Sequence, residues 1–292
     1  MPALVEIICD AGPQIGFGHL RRCQTLAQQL TLHGINANLR CLSDEGEKLS
    51  LRDMPCEKKI DLTVLDVPFS SQGLLDNIRR TSPMLVGLDW FGEDPVDVNI
   101  VIFEHSSAKA IESVYVGWNF VMIRPEIAVL ALDEPPTDSQ SVLVFLGSGD
   151  LLGQSGAAAQ TLAESGLKVT LVLGPLAKSR QTSVLHKDIE VRVNPQELPE
   201  LLARSDWTVS NGGTCMFESL CLGKPAYVLP QTEAERRVSL SIDAQEALLG
   251  LGFSGLKPFE LNVLQTVAER GRGLIDGRGA ERVSRILQEL LN

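Results

Sequence analysis

Short apolar runs alternate with amphipathic stretches along most of the chain. The first run, LVEIIC at residues 4–9, is almost wholly apolar, which is typical of a strand buried on both faces of a sheet. The next stretch, HLRRCQTLAQQLTLHG at 19–34, has its apolar residues at helical spacing and ends on a glycine, which predicts an amphipathic helix. Further strand candidates lie at 37–42, 62–67, 84–89 and 98–103. This alternation predicts a parallel sheet built from βαβ units.

A segment rich in Pro, Asp and Ser, LALDEPPTDSQS at residues 130–141, interrupts this rhythm and predicts a linker. A second series then begins with VLVFLGSGD at 142–150. Its further strand candidates are 168–174, 189–193, 207–210 and 225–230, and its helix candidates are 153–166, 195–205 and 214–223. The pattern predicts an α/β protein of two Rossmann-like, doubly wound domains, residues 1–137 and 138–292. Because ligands bind at the carboxyl ends of strands in open parallel sheets, we expect the site in a central cleft that the two domains face.

The composition narrows the class of ligand. The chain has 292 residues, 44% of them hydrophobic, and a formal net charge of −11. An acidic chain without a long basic run argues against nucleic acid or an anionic membrane surface as partner. A small anion can still bind, because helix N-termini and local arginines hold phosphate even in acidic proteins. The six cysteines and four histidines lack the spacing of metal ligands, so we expect neither a metal nor a cofactor.

The N-terminal segment and the apolar runs bear on where the protein is located. The N-terminal MPALVEIICDAG is too short and too interrupted for a signal peptide. No apolar run approaches the ~20 residues needed to span a bilayer. We therefore expect a cytoplasmic protein without stable membrane insertion, and the pattern leaves its oligomeric state open.

The loop between the first strand and the first helix, DAGPQIGFGH at residues 10–19, is the first candidate site. Its glycines permit positive φ angles and close approach of the backbone to a ligand, and N–H groups at a helix start can hold an anion. The loop is not a dinucleotide motif, because Gly16-Phe17-Gly18-His19 lacks the third glycine, and it lacks the Gly-Lys-Ser/Thr of a Walker loop. His19 suits a general base, because the positive helix end favours the neutral imidazole. By spacing alone, a helix cap is an equally good interpretation of His19.

The second candidate loop lies between a strand and a helix that carries Glu218. Asn211, Gly212, Gly213 and Thr214 stand at the helix start, where backbone N–H groups can cradle a diphosphate. Glu218 follows one turn later, where a carboxylate can accept hydrogen bonds from two ribose hydroxyls. The alternative is a capped helix with Glu218 in solvent.

A third loop, FLGSGD at 145–150, follows the first strand of the second series. The N–H groups of Gly147 and Ser148 can point at the same ligand as the second loop. Asp150 is as good a helix cap as a ligand contact.

These motifs together resemble one family. QIGFGHLRRC at 14–23 resembles the N-terminal signature of the UDP-sugar hydrolases of the pseudaminic-acid pathway and of the related spore-coat polysaccharide proteins. GGTCMFESLCLGKPAYVLP at 212–230 resembles the nucleotide-binding segment of GT-B glycosyltransferases of the MurG type. NFVMIRPEI at 119–127 and LIDGRGAERVSRIL at 274–287 are similar to the family's segment before the second domain and to its C-terminal ending. The matches occur in order and cover nearly the whole chain.

The resemblance implies a GT-B fold whose C-terminal domain holds the nucleotide. It also implies metal-independent hydrolysis of a UDP-linked 2,4-diacetamido-2,4,6-trideoxy sugar, with inversion at the anomeric carbon and His19 as the base that activates water. The residues that it places around the sugar and diphosphate are Asp10, Gly16, Phe17, Gly18, Arg22, Asp66 and Asp89. Those expected to contact the nucleotide are Gly147, Ser148, Asn211, Gly212, Gly213, Thr214 and, at the ribose, Glu218.

The chain departs from the family pattern near the expected sugar. The aspartate-X-tyrosine of the family reads Asp66-Val67-Pro68, and the Asn-Gln after the last nucleotide-domain strand is missing from QTEAE at 231–235. These departures predict a different sugar or an altered activity. Two alternatives to hydrolysis therefore stand, a GT-B glycosyltransferase that uses a UDP-sugar donor and a non-catalytic protein that binds a nucleotide sugar.

Overall fold

The computed structural model describes residues 3–12, 15–42, 59–67, 72–92, 95–102, 113–131, 136–177 and 186–292. Residues 13–14 of the opening loop, residues 68 and 103, and residues 132–135 of the predicted linker lie outside this part of the chain. The chain divides into two compact units, Met1–Arg124 with Gly277–Asn292, and Pro125–Asp276.

The described elements follow the predicted alternation. The strands are β1 Leu4–Cys9, β2 Asn36–Cys41, β3 Leu62–Asp66, β4 Leu85–Leu88, β5 Val98–Val101, β6 Ser113–Val116, β7 Ser141–Phe145, β8 Lys168–Leu173, β9 Ile189–Val193, β10 Trp207–Ser210, β11 Ala226–Val228 and β12 Gly250–Leu251. The helices are α1 Gly18–Leu32, α2 Gln72–Arg79, α3 Pro125–Ala128, α4 Ser155–Glu164, α5 Leu198–Arg204, α6 Thr214–Cys221, α7 Glu233–Asp243, α8 Leu261–Leu274 and α9 Gly279–Leu290. Short 3₁₀ turns lie at Trp118–Phe120 and Phe253–Gly255.

The first unit is a doubly wound parallel sheet. Its strand order is β2-β1-β3-β4-β5-β6, and all described pairings are parallel. Val5 and Ile7 of β1 face a core shared with α1, whereas Ile8 faces a second core that includes Leu75 of α2. Apolar residues on both faces of the strand are therefore buried, which explains why β1 is apolar along its length.

The C-terminal helix returns to the first unit. Val283 and Leu287 of α9 are fully buried in the same core as α1. The prediction of a second domain that runs from 138 to 292 therefore differs from the contacts, which begin the second unit at Pro125 and end it at Asp276. Periodicity shows that α9 has an apolar face, but it does not reveal which sheet covers that face.

The second unit is a doubly wound parallel sheet as well. Its order is β12-β11-β10-β7-β8-β9, which is the strand order of dinucleotide-binding domains. Trp207 and Val209 of β10 face one core, while Thr208 of the same strand donates a hydrogen bond to Ser219 of α6 on the other face. The two predicted Rossmann-like domains are thus confirmed as folds.

Neither a membrane-spanning helix nor a cluster of metal ligands is present in the described residues. No helix there is long and apolar enough to cross a bilayer. Within the same ranges, no group of three or more His, Cys, Asp or Glu side chains is arranged to hold a metal ion.

Candidate active site

The candidate loops lie where each sheet reverses its strand order. In the first unit the order reverses between β1 and β3, so the loop after β1 and the last residue of β3, Asp66, meet at one edge. In the second unit the reversal lies between β7 and β10, which brings the loops after Phe145 and Ser210 together. Ligands of open α/β sheets bind at such points.

In the first unit, the Asp66 carboxylate is the centre of a hydrogen-bond network. Its Oδ1 accepts from His19 Nδ1 at 2.6 Å and from Arg22 Nη2 at 2.5 Å. Its Oδ2 accepts from Arg22 Nε at 2.6 Å and from Cys23 Sγ at 3.3 Å. Asp66 is fully buried, and its acceptor sites are occupied by these neighbours. Asp66 was predicted to contact the substrate; in the structure it orients His19 and Arg22, and the substrate contact stays a prediction.

The ionisation of Asp66 follows from its partners. Burial by itself raises the pKa of a carboxyl group, but the positive charge of Arg22, a smaller contribution from His19 and the hydrogen bonds from both outweigh it. The pKa of Asp66 is held well below its usual range. Burial lowers the pKa of Arg22, yet the charges of Asp66 and Asp89 raise it well above its ordinary value. Asp66 and Arg22 therefore carry full and opposite charges.

These charges fix the proton on His19. An ionised carboxylate only accepts, so the short contact between Asp66 Oδ1 and Nδ1 requires that Nδ1 carry a hydrogen. In the neutral imidazole, the lone pair then lies on Nε2. Among the residues that the structure describes, Nε2 makes no hydrogen bond, and the side chain is 27% exposed. The geometry suits a general base, and the helix-cap interpretation does not fit, because the cap position of α1 belongs to Phe17.

Arg22 links this pair to Asp89, which follows β4. Arg22 Nη1 donates to Asp89 Oδ2 at 2.7 Å, and Asp89 Oδ1 accepts from the backbone N–H of Ile102 at 2.9 Å. Asp89 has a φ of 49°, in the left-handed region that non-glycine residues seldom adopt. Both residues were predicted to contact the substrate; in the structure they bind each other, and the substrate contact stays a prediction.

The remaining predicted residues of the opening loop lie around the start of α1, and their contact with a substrate stays a prediction. Gly12 and Gly16 pair backbone to backbone, and Gly16 has a φ of 78°, which favours glycine. Asp10 accepts a hydrogen bond from the N–H of Ala11. Phe17 packs against the core, and Gly18 is the first residue of α1. Apart from Asp10, the described part of the loop therefore offers backbone groups and the His19 side chain.

In the second unit, Glu235 of α7 binds the loop that precedes α6. Its Oε1 accepts from Asn211 Nδ2 at 2.6 Å, and it also accepts a backbone hydrogen bond from Gly212. Its Oε2 accepts from the N–H of Gln231 at 2.7 Å. Asn211 and Gly212 were predicted to hold phosphate; in the structure they donate to Glu235, and the phosphate contact stays a prediction.

Glu235 is not among the site residues predicted from sequence. The signal for it is the spacing Thr232-x-x-Glu235, a capping box in which Thr232 Oγ1 accepts from the N–H of Glu235 at 3.1 Å. Burial raises the pKa of Glu235, although the hydrogen bonds from Gln231 and the Asn211 loop oppose this. Asn211 Oδ1 is buried and has no partner among the described residues, because the amide is oriented by Glu235.

The other predicted nucleotide contacts lie around the start of α6. Gly213 is the cap residue of α6 and has no side chain to satisfy the N–H groups of its first turn, and Thr214 begins the helix. Gly147 has a φ of 80° and lies against the Asn211 amide. The carbonyl of Ser148 accepts from the N–H of Leu176. These residues are together at the carboxyl end of the sheet.

Two acidic residues complete this edge. Asp150 accepts from the N–H groups of Gln154 and Ser155 at 3.0 Å each, so it caps the start of α4. Glu218 is buried, with 4% of its surface exposed, so the alternative that places it in solvent is wrong. Its contact with a ribose stays a prediction.

The two units define the class of protein. Each is a Rossmann-like parallel α/β domain, and the chain has the GT-B fold that solved glycosyltransferases share. This confirms the fold predicted from sequence. No family model matches the sequence.

Particular relatives come from two further comparisons. The chain is similar to the spore coat polysaccharide biosynthesis protein SpsG of Bacillus subtilis, with 24% identity over 98% of each chain. It is similar in structure to MurG of Acinetobacter baumannii, with a TM-score of 0.64 and 12% identity over 99% of this chain and 100% of that one. CalG4, the calicheamicin glycosyltransferase, gives a TM-score of 0.60 and 14% identity over 99% and 98% of the two chains. SnogD from Streptomyces nogalater gives 0.56 and 16% over the whole of both.

Proposed function

We propose that this chain is an enzyme of surface polysaccharide biosynthesis that acts on a nucleotide sugar. In the proposed reaction, His19 activates a hydroxyl for attack on the anomeric carbon, and a nucleoside diphosphate leaves. The observation that carries the proposal is the contact of His19 Nδ1 with the buried, ionised Asp66, which leaves the Nε2 lone pair available. A protein that only binds a nucleotide sugar has no use for a base oriented in this way.

The chemistry needs a placed nucleophile and a stabilised leaving group. Nε2 of His19 takes the proton of the attacking hydroxyl while its oxygen bonds to the anomeric carbon and the bond from that carbon to the diphosphate breaks. The imidazolium that forms is stabilised by Asp66. The departing diphosphate is stabilised by the backbone donors at Gly213 and Thr214, at the start of α6, and Glu218 accepts from the ribose.

The nucleophile decides between two activities. Glycosyl transfer to an acceptor hydroxyl is favoured, because CalG4 and SnogD are glycosyltransferases that share this fold, as MurG does. Hydrolysis, with water in the same place, is the second candidate, and it is supported by the motif QIGFGHLRRC. The similarity to SpsG supports polysaccharide biosynthesis as the setting, and the segment 212–230 supports UDP as the leaving group.

The proposal is tested by following UDP release from a panel of UDP-sugars, with and without sugar acceptors. Release that requires an acceptor identifies a transferase, and release in water alone identifies a hydrolase. His19→Ala should lower the rate by roughly 10²–10⁴-fold without weakening UDP binding. His186→Ala, a change at a histidine of the second unit whose backbone N–H bonds Gln160, is the matched control. Binding of UDP without release from any sugar, or full activity in His19→Ala, would refute the proposal.

A further inference from the structure

His19 belongs to a chain of four charged or ionisable side chains. The chain runs from His19 to Asp66, from Asp66 to Arg22 through two hydrogen bonds, and from Arg22 to Asp89 through a third. The first three members occupy the places where a base and its orienting groups are expected. Asp89 contacts Arg22 and not His19, so its place in the network needs a separate explanation.

The net charge of the network depends on Asp89. Without Asp89, the single positive charge of Arg22 would cancel that of Asp66, and the pair would do little to stabilise a charged imidazolium. With Asp89, the group made of Asp66, Arg22 and Asp89 carries one surplus negative charge. That charge balances the positive charge of His19 after it accepts a proton.

We propose that Asp89 is a positioning residue of the active site, which acts through Arg22 to keep the charge of Asp66 effective on His19. The inference rests on the proposed function. It goes beyond the expectation that Asp89 and Arg22 contact the sugar, because Arg22 directs Nε and both terminal nitrogens at the two carboxylates.

The backbone at Asp89 supports a specific requirement for this residue. Asp89 adopts a left-handed φ of 49°, which persists in proteins only where the surroundings impose it and which recurs at functional sites. One carboxylate oxygen is fixed by the N–H of Ile102, so the other is held towards Arg22 Nη1. The side chain is 17% exposed, so water screens its charge only in part.

Other titratable groups near His19 do not substitute for Asp89. Cys23 lies beneath Asp66 and bonds to both Asp66 and Cys9; burial raises the pKa of its thiol, which therefore stays neutral. Asp10 is bonded to its neighbouring N–H. In the described part of the first unit, the carboxylates that pair with Arg22 are Asp66 and Asp89.

Asp89→Asn tests the proposal with little disturbance. Asparagine tolerates the left-handed region and keeps an oxygen for the N–H of Ile102, but it removes the charge beside Arg22. Arg22→Met removes the positive charge instead. The acid limb of the pH profile of kcat/KM should move to lower pH in Asp89→Asn and to higher pH in Arg22→Met, by about half a pH unit or more in each case.

The opposite directions separate this role from a structural one. If Asp89 only holds the fold, Asp89→Asn loses activity while its acid limb stays where it is in the unmodified protein, which overturns the proposal. An NMR titration of the His19 imidazole signals gives the same comparison without any substrate. It therefore keeps the test valid if the proposed reaction is not found, and an unmoved or upward-shifted titration in Asp89→Asn overturns the inference.

Discussion

Gly279 controls how the C-terminal helix attaches to the first unit. It is the buried first residue of α9, and its backbone packs directly against the chain at Val121. A Cβ atom at Gly279 would lie 2.0 Å from the carbonyl oxygen of Val121 and 2.8 Å from the carbonyl carbon of Phe120. Gly279→Ala should therefore loosen α9 from its own unit.

The size of the effect follows from these distances. Non-bonded heavy atoms in contact lie roughly 3.5 Å apart, so α9 or the facing backbone must move by about 1 Å or more. The obstacle is backbone, which cannot swing aside as a side chain can. Overpacking of this kind costs about 1–3 kcal/mol, and the preference for alanine over glycine in helix interiors offsets little of it, because Gly279 is the first residue of α9.

Hydrogen exchange measured by mass spectrometry locates the change. In Gly279→Ala, protection of amides in α9 and in α1, which share one core, should fall roughly 5- to 150-fold, the equivalent of about 1–3 kcal/mol. The control is Gly273→Ala in α8, where an added Cβ meets no atom within 4 Å, and it should leave α9 unchanged. Equal protection of α9 in both variants would show that the close approach of Gly279 to Val121 does not govern its attachment.

Two further predictions concern the networks around the candidate loops. Asp66→Asn should lower the free energy of unfolding by about 3 kcal/mol near neutral pH, because it breaks a buried ion pair. Since the pKa of Asp66 is depressed in the folded protein, this stability is present above the ordinary Asp value of ~3.9 and is lost as the pH falls below it. The free energies of unfolding of Asp66→Asn and the unmodified protein should therefore converge in acid. A difference between them that does not change with pH would contradict the ion pair as its source. Thr232→Ala should cost about 1 kcal/mol by removing the cap of α7, and Thr232→Ser should restore most of it in the same urea titration; equal losses in the two would exclude the cap.

The secondary structure and the order of elements could be predicted because they depend on neighbours in sequence. Runs such as LVEIIC are apolar without alternation because both sheet faces are covered, and the glycine at 34 ends α1 where the spacing indicates. The attachment of α9 could not be predicted this way. Its apolar face is visible in the sequence, but the sheet that it covers is decided by packing of Val283 and Leu287 against residues far away in the chain.

The candidate site shows the same division. The sequence indicated His19, Arg22, Asp66 and Asp89, and the structure brings these four side chains into one network. The sequence could not assign their roles, because Arg22 meets Asp66 across 44 residues and Asp89 across 67. A polar residue beside a glycine loop looks the same in sequence whether its partner is a ligand or another side chain of the protein.

Asp66 and Glu235 illustrate what decides between those roles. Both are carboxylates surrounded by donors at the reversal of a sheet, and Asp66 is the more deeply buried of the two. Nevertheless the pKa of Asp66 is lowered and that of Glu235 is raised, because Asp66 faces the full charge of Arg22 while the partners of Glu235 are neutral amides. As the pH falls, the loop at Asn211 therefore loses its anionic partner before the His19–Asp66 pair does. Of these two carboxylates, Glu235 is thus the one that acid neutralises first, and Asp66 stays ionised through that range.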